Sequence, residues 1–137
     1  MNYRTLGKTG ISVSEIGFGA WPIGGMHDKS RKASSYGTTD DAESLRCLET
    51  AFELGCTFID TADAYGIGHS EELIGQFLKG RRDKVVVATK FGHYPFDDPE
   101  LHEPTEKTIR HCVEQSLSRL QTDYIDLYQI HQYDPDV

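Results

Sequence analysis

Four short apolar runs alternate with three stretches of helical periodicity, and this alternation limits the fold more than any other feature of the chain. The runs are Ile16–Trp21, Thr57–Asp60, Lys84–Thr89 and Tyr124–Ile130. Between them, apolar residues recur at helical spacing: Ala42, Leu45, Leu48, Ala51 and Phe52, then Leu73, Ile74, Phe77 and Leu78, then Ile109, Val113, Leu117 and Leu120. Strand and helix in strict alternation predict a parallel sheet with right-handed crossovers. Punctuation agrees with this reading. Asp40 and Glu43 form a capping-box pattern before the first helix, which stops at Gly55. Ser70 opens the second helix, with Glu71 and Glu72 in its first turn and Gly80 after it. A third helix spans about Thr105 to Leu120. Residues 3–15 alternate around Gly7 and Gly10, a hairpin signal.

Three of the four runs end on reactive side chains. Phe58-Ile59-Asp60 ends on a carboxylate, with Tyr65 five residues on; Val85–Thr89 is followed by Lys90, and Tyr124–Ile130 by His131. An open, doubly wound sheet that binds nucleotides would need Gly-x-Gly-x-x-Gly after its first strand, and Ile16–Trp21 is not followed by one. In a (β/α)8 barrel, by contrast, catalytic groups sit at the C-terminal ends of several different strands. The alternate glycines Gly17 and Gly19 suit the crowded interior of a barrel. An ammonium beside a phenol assists its proton transfer, and a carboxylate keeps such an amine charged and directed. Lys90 and Asp60 are placed for these roles toward Tyr65, and His131 for binding a substrate carbonyl oxygen. Singly, each residue has a structural explanation: an Asp caps a turn, a Tyr packs, a Lys pairs with any carboxylate. Their common position on one rim favours chemistry.

At 137 residues, with 37% hydrophobic and 26% charged residues, the composition is that of a globular domain. The net charge of -8 disfavours a general nucleic-acid or anionic-membrane surface. Three cysteines without metal-ligand spacing, and an N-terminus without an apolar signal region, suggest a reducing, cytoplasmic location. No apolar run approaches the roughly 20 residues needed to span a bilayer. His27, His69, His93, His102 and His111 are scattered without ligand pairing, so no metal site is expected. The Pro22–Thr39 segment, rich in Gly and Ser and containing His27 and Lys29, is long enough for a functional lid.

The motifs Gly17-Phe18-Gly19-Ala20-Trp21, Asp60-Thr61-Ala62-Asp63-Ala64-Tyr65-Gly66, Ser70-Glu71-Glu72-Leu73-Ile74-Gly75 and Ala88-Thr89-Lys90 occur in this order. A fifth runs from Ser116 to His131. Together they closely resemble the aldo-keto reductases. The resemblance implies a TIM barrel closed at the bottom by an N-terminal hairpin, and NADPH-dependent interconversion of carbonyls and alcohols. It implies a catalytic tetrad of Asp60, Tyr65, Lys90 and His131, with Asp60 also touching the cofactor. Trp21, Phe91 and His131 are the expected substrate contacts, with packing favoured over function for Phe91. A complete barrel needs about 250 residues, so residues 1–137 are expected to be the N-terminal portion of the domain, from a truncated product or an incomplete sequence. Exposed edge strands would favour self-association. The alternatives are an inactive fragment or assembly element, and a non-catalytic NADPH-binding regulatory subunit that serves a channel. The substrate itself, among aldehydes, ketones and sugars, is not specified by these residues.

Overall fold

The computed structural model describes residues 1–25, 37–92 and 105–132. Two antiparallel strands, β1 (Tyr3–Thr5) and β2 (Ser12–Ser14), form the expected hairpin. Ser14 fastens it to the sheet. Its buried hydroxyl donates to the Ile16 carbonyl oxygen at 2.7 Å and accepts the Thr57 and Phe58 N–H groups at 2.9 and 3.3 Å.

The main sheet is parallel, in the order β3 (Gly17–Gly19), β4 (Phe58–Asp60), β5 (Val86–Phe91) and β6 (Leu127–Ile130). Gly19 pairs with Asp60, Asp60 with Ala88, and Lys90 with Gln129. A short helix α1 (Trp21–Gly24) follows β3, and the crossovers are α2 (Asp41–Glu53), α3 (His69–Phe77) and α4 (Glu106–Leu120). This is the βα alternation expected. Leu48, Ile59, Leu73, Ile74, Phe77, Val87 and Leu120 fill the space between helices and sheet. Among the described residues, no helix is long and apolar enough to cross a membrane.

Several boundaries differ from expectation. The first sheet strand ends at Gly19, because Pro22 sits in the first turn of α1, where its missing N–H costs nothing. Trp21 is therefore helical, and Pro22–Gly24 are not loop. The strand β5 continues past Thr89 to Phe91, so Lys90 lies within a strand. The strand β6 begins at Leu127 and not at Tyr124. Just before it, the Asp126 carboxylate accepts the Val87 N–H at 2.9 Å, so a side chain replaces a ladder bond. The helix α3 starts at His69, capped by Gly68, and Ser70 is buried: its hydroxyl donates to the Ala20 carbonyl oxygen at 3.0 Å. Residues 26–36 of the proposed lid, with His27 and Lys29, and the proline-containing loop before α4, with Pro95, Pro99 and Pro104, lie outside the described residues.

The buried stripe of α4 is Thr108, Cys112, Ser116 and Leu120, whereas Ile109, Val113 and Leu117 are only half-buried. Small side chains on the inner row let α4 approach α3 closely. A Cβ on Gly75 would stand 2.4 Å from the Arg119 carbonyl oxygen, so the helices touch backbone to backbone at that point.

Candidate active site

The β4–β5 ladder does not stop at Asp60. The Thr61 N–H donates to the Ala88 carbonyl oxygen at 2.8 Å, and the Asp63 N–H to that of Lys90 at 3.1 Å. The chain leaving β4 therefore runs along β5 for three more residues before it turns. The turns that follow are built from Tyr65 N–H to the Ala62 carbonyl oxygen and Ile67 N–H to that of Ala64, both at 3.2 Å. Gly66 is required here: its φ is +62°, and a Cβ would lie 2.0 Å from the Gly24 carbonyl oxygen. The α1 turn and the Tyr65 loop are thus pressed together, which leaves the Trp21 and Tyr65 rings 6.5 Å apart, centroid to centroid.

Asp60, Tyr65, Lys90 and His131 come together at one rim. The Lys90 ammonium donates to both Asp60 carboxylate oxygens at 2.8 Å and to the Thr61 carbonyl oxygen at 2.9 Å. Its three donors are thereby used, and its direction is fixed. The Lys90 nitrogen stands 5.3 Å from the Tyr65 ring centroid. The Tyr65 ring meets the His131 imidazole edge-on, at 5.6 Å and 82°. His131 is held by its own backbone, whose N–H donates to the Phe91 carbonyl oxygen at 2.7 Å and so extends the β5–β6 ladder by one residue. Phe91 is 4% exposed and stacks on Tyr128 with centroids 5.0 Å apart, so its ring is part of the packing under the rim. The arrangement sets a phenol between an anchored amine and an imidazole, which is what proton exchange with a substrate oxygen needs.

A second charged group lies behind the first and is not apparent from strand ends alone. Asp63 and Glu71 are fully buried. Arg119 Nε donates to Glu71 Oε2 at 2.6 Å, and the Thr89 hydroxyl donates to Glu71 Oε1 at 2.6 Å. Burial first, then the Glu71 charge, push the Asp63 carboxyl up to about 7, against the opposing Arg119. Burial also raises the Cys112 thiol to about 11 and pushes the Tyr128 phenol upward. A first-turn glutamate is usually read as a dipole partner exposed to water. The overlooked signal is that Glu71, Ile74, Gly75 and Leu78 share the i, i+3, i+4, i+7 spacing of the buried face. A broad cleft of about 880 Å³, lined by Arg81, Arg82, Asp83, Thr122 and Tyr124 among others, lies at the opposite ends of the strands and takes no part in this rim.

The profile of the Aldo/keto reductase family matches residues 15–137. The chain is 43% identical over 137 residues to the aldo-keto reductase YhdN of Bacillus subtilis (strain 168), an alignment that covers 98% of this chain and 39% of that protein. Among solved structures, the holo form of aldo-keto reductase AKR11C1 from Bacillus halodurans superposes with a TM-score of 0.82 at 38% identity, over 99% of this chain and 42% of the other. An aldo-keto reductase from Klebsiella pneumoniae in complex with NADPH gives 0.69 at 32% identity, over 90% of this chain and 37% of the other. The chain thus spans well under half the length of these relatives, over the N-terminal part of their (β/α)8 barrel.

Proposed function

The chain belongs to the aldo/keto reductase family, and from that premise we propose that it carries the proton-transfer groups of an NADPH-dependent enzyme that interconverts aldehydes or ketones with alcohols. The observation that carries this reading is the clamped Lys90 ammonium, bonded to both Asp60 oxygens and to Thr61, with its nitrogen 5.3 Å from the Tyr65 ring centroid. Bound NADPH would supply the hydride. Everything else in the step belongs to the chain. Tyr65 gives its proton to the substrate oxygen in reduction and takes one in oxidation. Lys90 places its ammonium beside that phenol, and Asp60 keeps it aimed there through both carboxylate oxygens. His131 orients the substrate oxygen from the far side of Tyr65.

Trp21, across from Tyr65, lines the substrate side; Phe91 contributes from beneath, through its packing on Tyr128 and its backbone bond to His131. The residues present fit the reacting end of the cofactor, because the Asp60 side chain is 39% exposed even while it holds Lys90, and so has a face left for the ribose and nicotinamide side. Among the described residues, the cation at this rim is Lys90, already engaged with Asp60, so a phosphate-binding set is not part of this reading. The NADPH complex of the Klebsiella relative supports the choice of cofactor. The free Cys47, Cys56 and Cys112 fit a reducing, cytoplasmic setting.

Tyr65→Phe in the protein that contains this chain tests the assignment. NADPH oxidation with simple aldehydes should fall by about 100-fold or more, in the range that a lost proton donor costs, while NADPH binding measured by fluorescence stays unchanged. Undiminished turnover in the Phe variant would remove Tyr65 from the mechanism.

A further inference from the structure

Behind the Tyr65 loop, two buried carboxylates lie beside one guanidinium that is itself mostly buried. Asp63 and Glu71 are 1% and 0% exposed, and Arg119 reaches them from α4. These three residues touch both segments that carry the reacting groups. Glu71 accepts the hydroxyl of Thr89, the neighbour of Lys90, and the Asp63 N–H is bonded to the Lys90 carbonyl oxygen. The Arg119 stem lies against Gly68, where the loop joins α3: a Cβ there would be 2.5 Å from Arg119 Cδ.

One positive charge cannot offset two negative ones in a dry space without cost. Glu71 has the better claim to Arg119, since it accepts both the guanidinium and the Thr89 hydroxyl at 2.6 Å. Asp63 has no such pairing, and its Oδ1 is buried without a hydrogen-bond partner among the described residues. Beside it lies a cavity of about 200 Å³, lined by Asp63, His111, Cys112, Gln115 and Arg119. The groups facing Asp63 are therefore Glu71 from α3, Arg119, His111 and Cys112 from α4, and Tyr128 from β6. From β5 comes only the Lys90 backbone, its ammonium being held by Asp60. A protonated carboxyl is the form that this surrounding accepts at low cost, and Asp63 correspondingly gives up its proton only near pH 7.

We propose that Asp63 is a positioning residue, which holds the Tyr65 loop against the Lys90 strand while its carboxyl carries a proton and releases that brace when the proton is lost. Ionised Asp63 competes with Glu71 for Arg119 and draws water into the adjoining cavity. As Glu71 loses Arg119, the Thr89 contact and the Asp63–Lys90 backbone bond loosen with it. The consequence for turnover rests on the roles proposed above for Tyr65 and Lys90; the structural event does not.

The test therefore reads structure, without cofactor or substrate. Carboxyl-carbon NMR across pH 5–9 should give Asp63, identified by its absence in Asp63→Asn, a midpoint near 7. Over the same range, amide hydrogen exchange corrected for intrinsic rates should show protection of the Asp63 and Tyr65 N–H groups falling tenfold or more. In Asp63→Asn, which mimics the protonated form, protection of the residue-63 and Tyr65 amides should stay high and independent of pH. In Glu71→Gln, loss of the like charge should lower the Asp63 midpoint by about one pH unit. A midpoint below 5, protection that ignores the midpoint, an equal fall in Asp63→Asn, or an unmoved midpoint in Glu71→Gln would each overturn the proposal.

Discussion

Asp60, the last residue of β4, and Asp63, three residues on in the loop that follows, meet opposite surroundings. Asp60 finds an ammonium on both of its oxygens, whereas Asp63 has an oxygen with no partner among the described residues and a glutamate nearby. The difference has a sign in stability. The Asp63 carboxyl is raised from 3.8 to about 7 on folding, so between those values the folded state holds a proton that the unfolded chain has lost. Stability contributed at this site therefore falls as pH rises from about 4 to 7, then levels off. Asp63→Asn removes the slope. Its melting temperature should match the wild type near pH 4 and exceed it increasingly up to pH 7, where the gain in unfolding free energy is on the order of 4 kcal/mol at most. Parallel melting curves at all pH values would contradict this. The sequence made Asp60 legible, because it closes an apolar run. Asp63 stayed hidden, since nothing local distinguishes a loop aspartate in water from one roofed by a helix that starts over forty residues later in the chain.

At the level of elements, legibility followed the range of the interactions involved. The helix α2 is announced by neighbours in sequence: the Asp40 carboxylate accepts the Glu43 N–H at 2.8 Å, and at the other end Gly55 and Cys56 donate to the Phe52 and Ala51 carbonyl oxygens, a Schellman closure. The inner face of α4 was misread because apolar residues were assigned to it, while the close contact with α3 selects small ones. These two features predict contrasting variants. Asp40→Ala loses one cap bond and should cost about 1 kcal/mol. Gly75→Ala should also destabilise, by roughly 1–3 kcal/mol, because the added methyl meets the Arg119 backbone, even though alanine is the better helix former by about 1 kcal/mol. Urea midpoints of the two variants measure both; a stabilised Gly75→Ala protein would show that the α3–α4 approach is looser than described.

For the molecule as a whole, the fold class was legible from alternation and the topology from its handedness rule; where the edges lie required the register. Among the described residues, β3 pairs only with β4 in the main sheet, and β6 only with β5, while Ile130 at the end of β6 is 62% exposed. Two such edges on one sheet favour pairing between copies. Sedimentation velocity of the 137-residue chain should accordingly show mass rising with concentration, and Ile130→Lys should reduce it; a single monomer boundary at all concentrations would set this expectation aside. The Glu71–Arg119 contact has a different reach, because its partners are 48 positions apart in the chain. A ribosome makes the amine of Lys90 and the phenol of Tyr65 well before it makes Arg119. The nascent chain therefore carries the Glu71 carboxylate without its guanidinium partner, and that contact can close only after α4 has been made and docked.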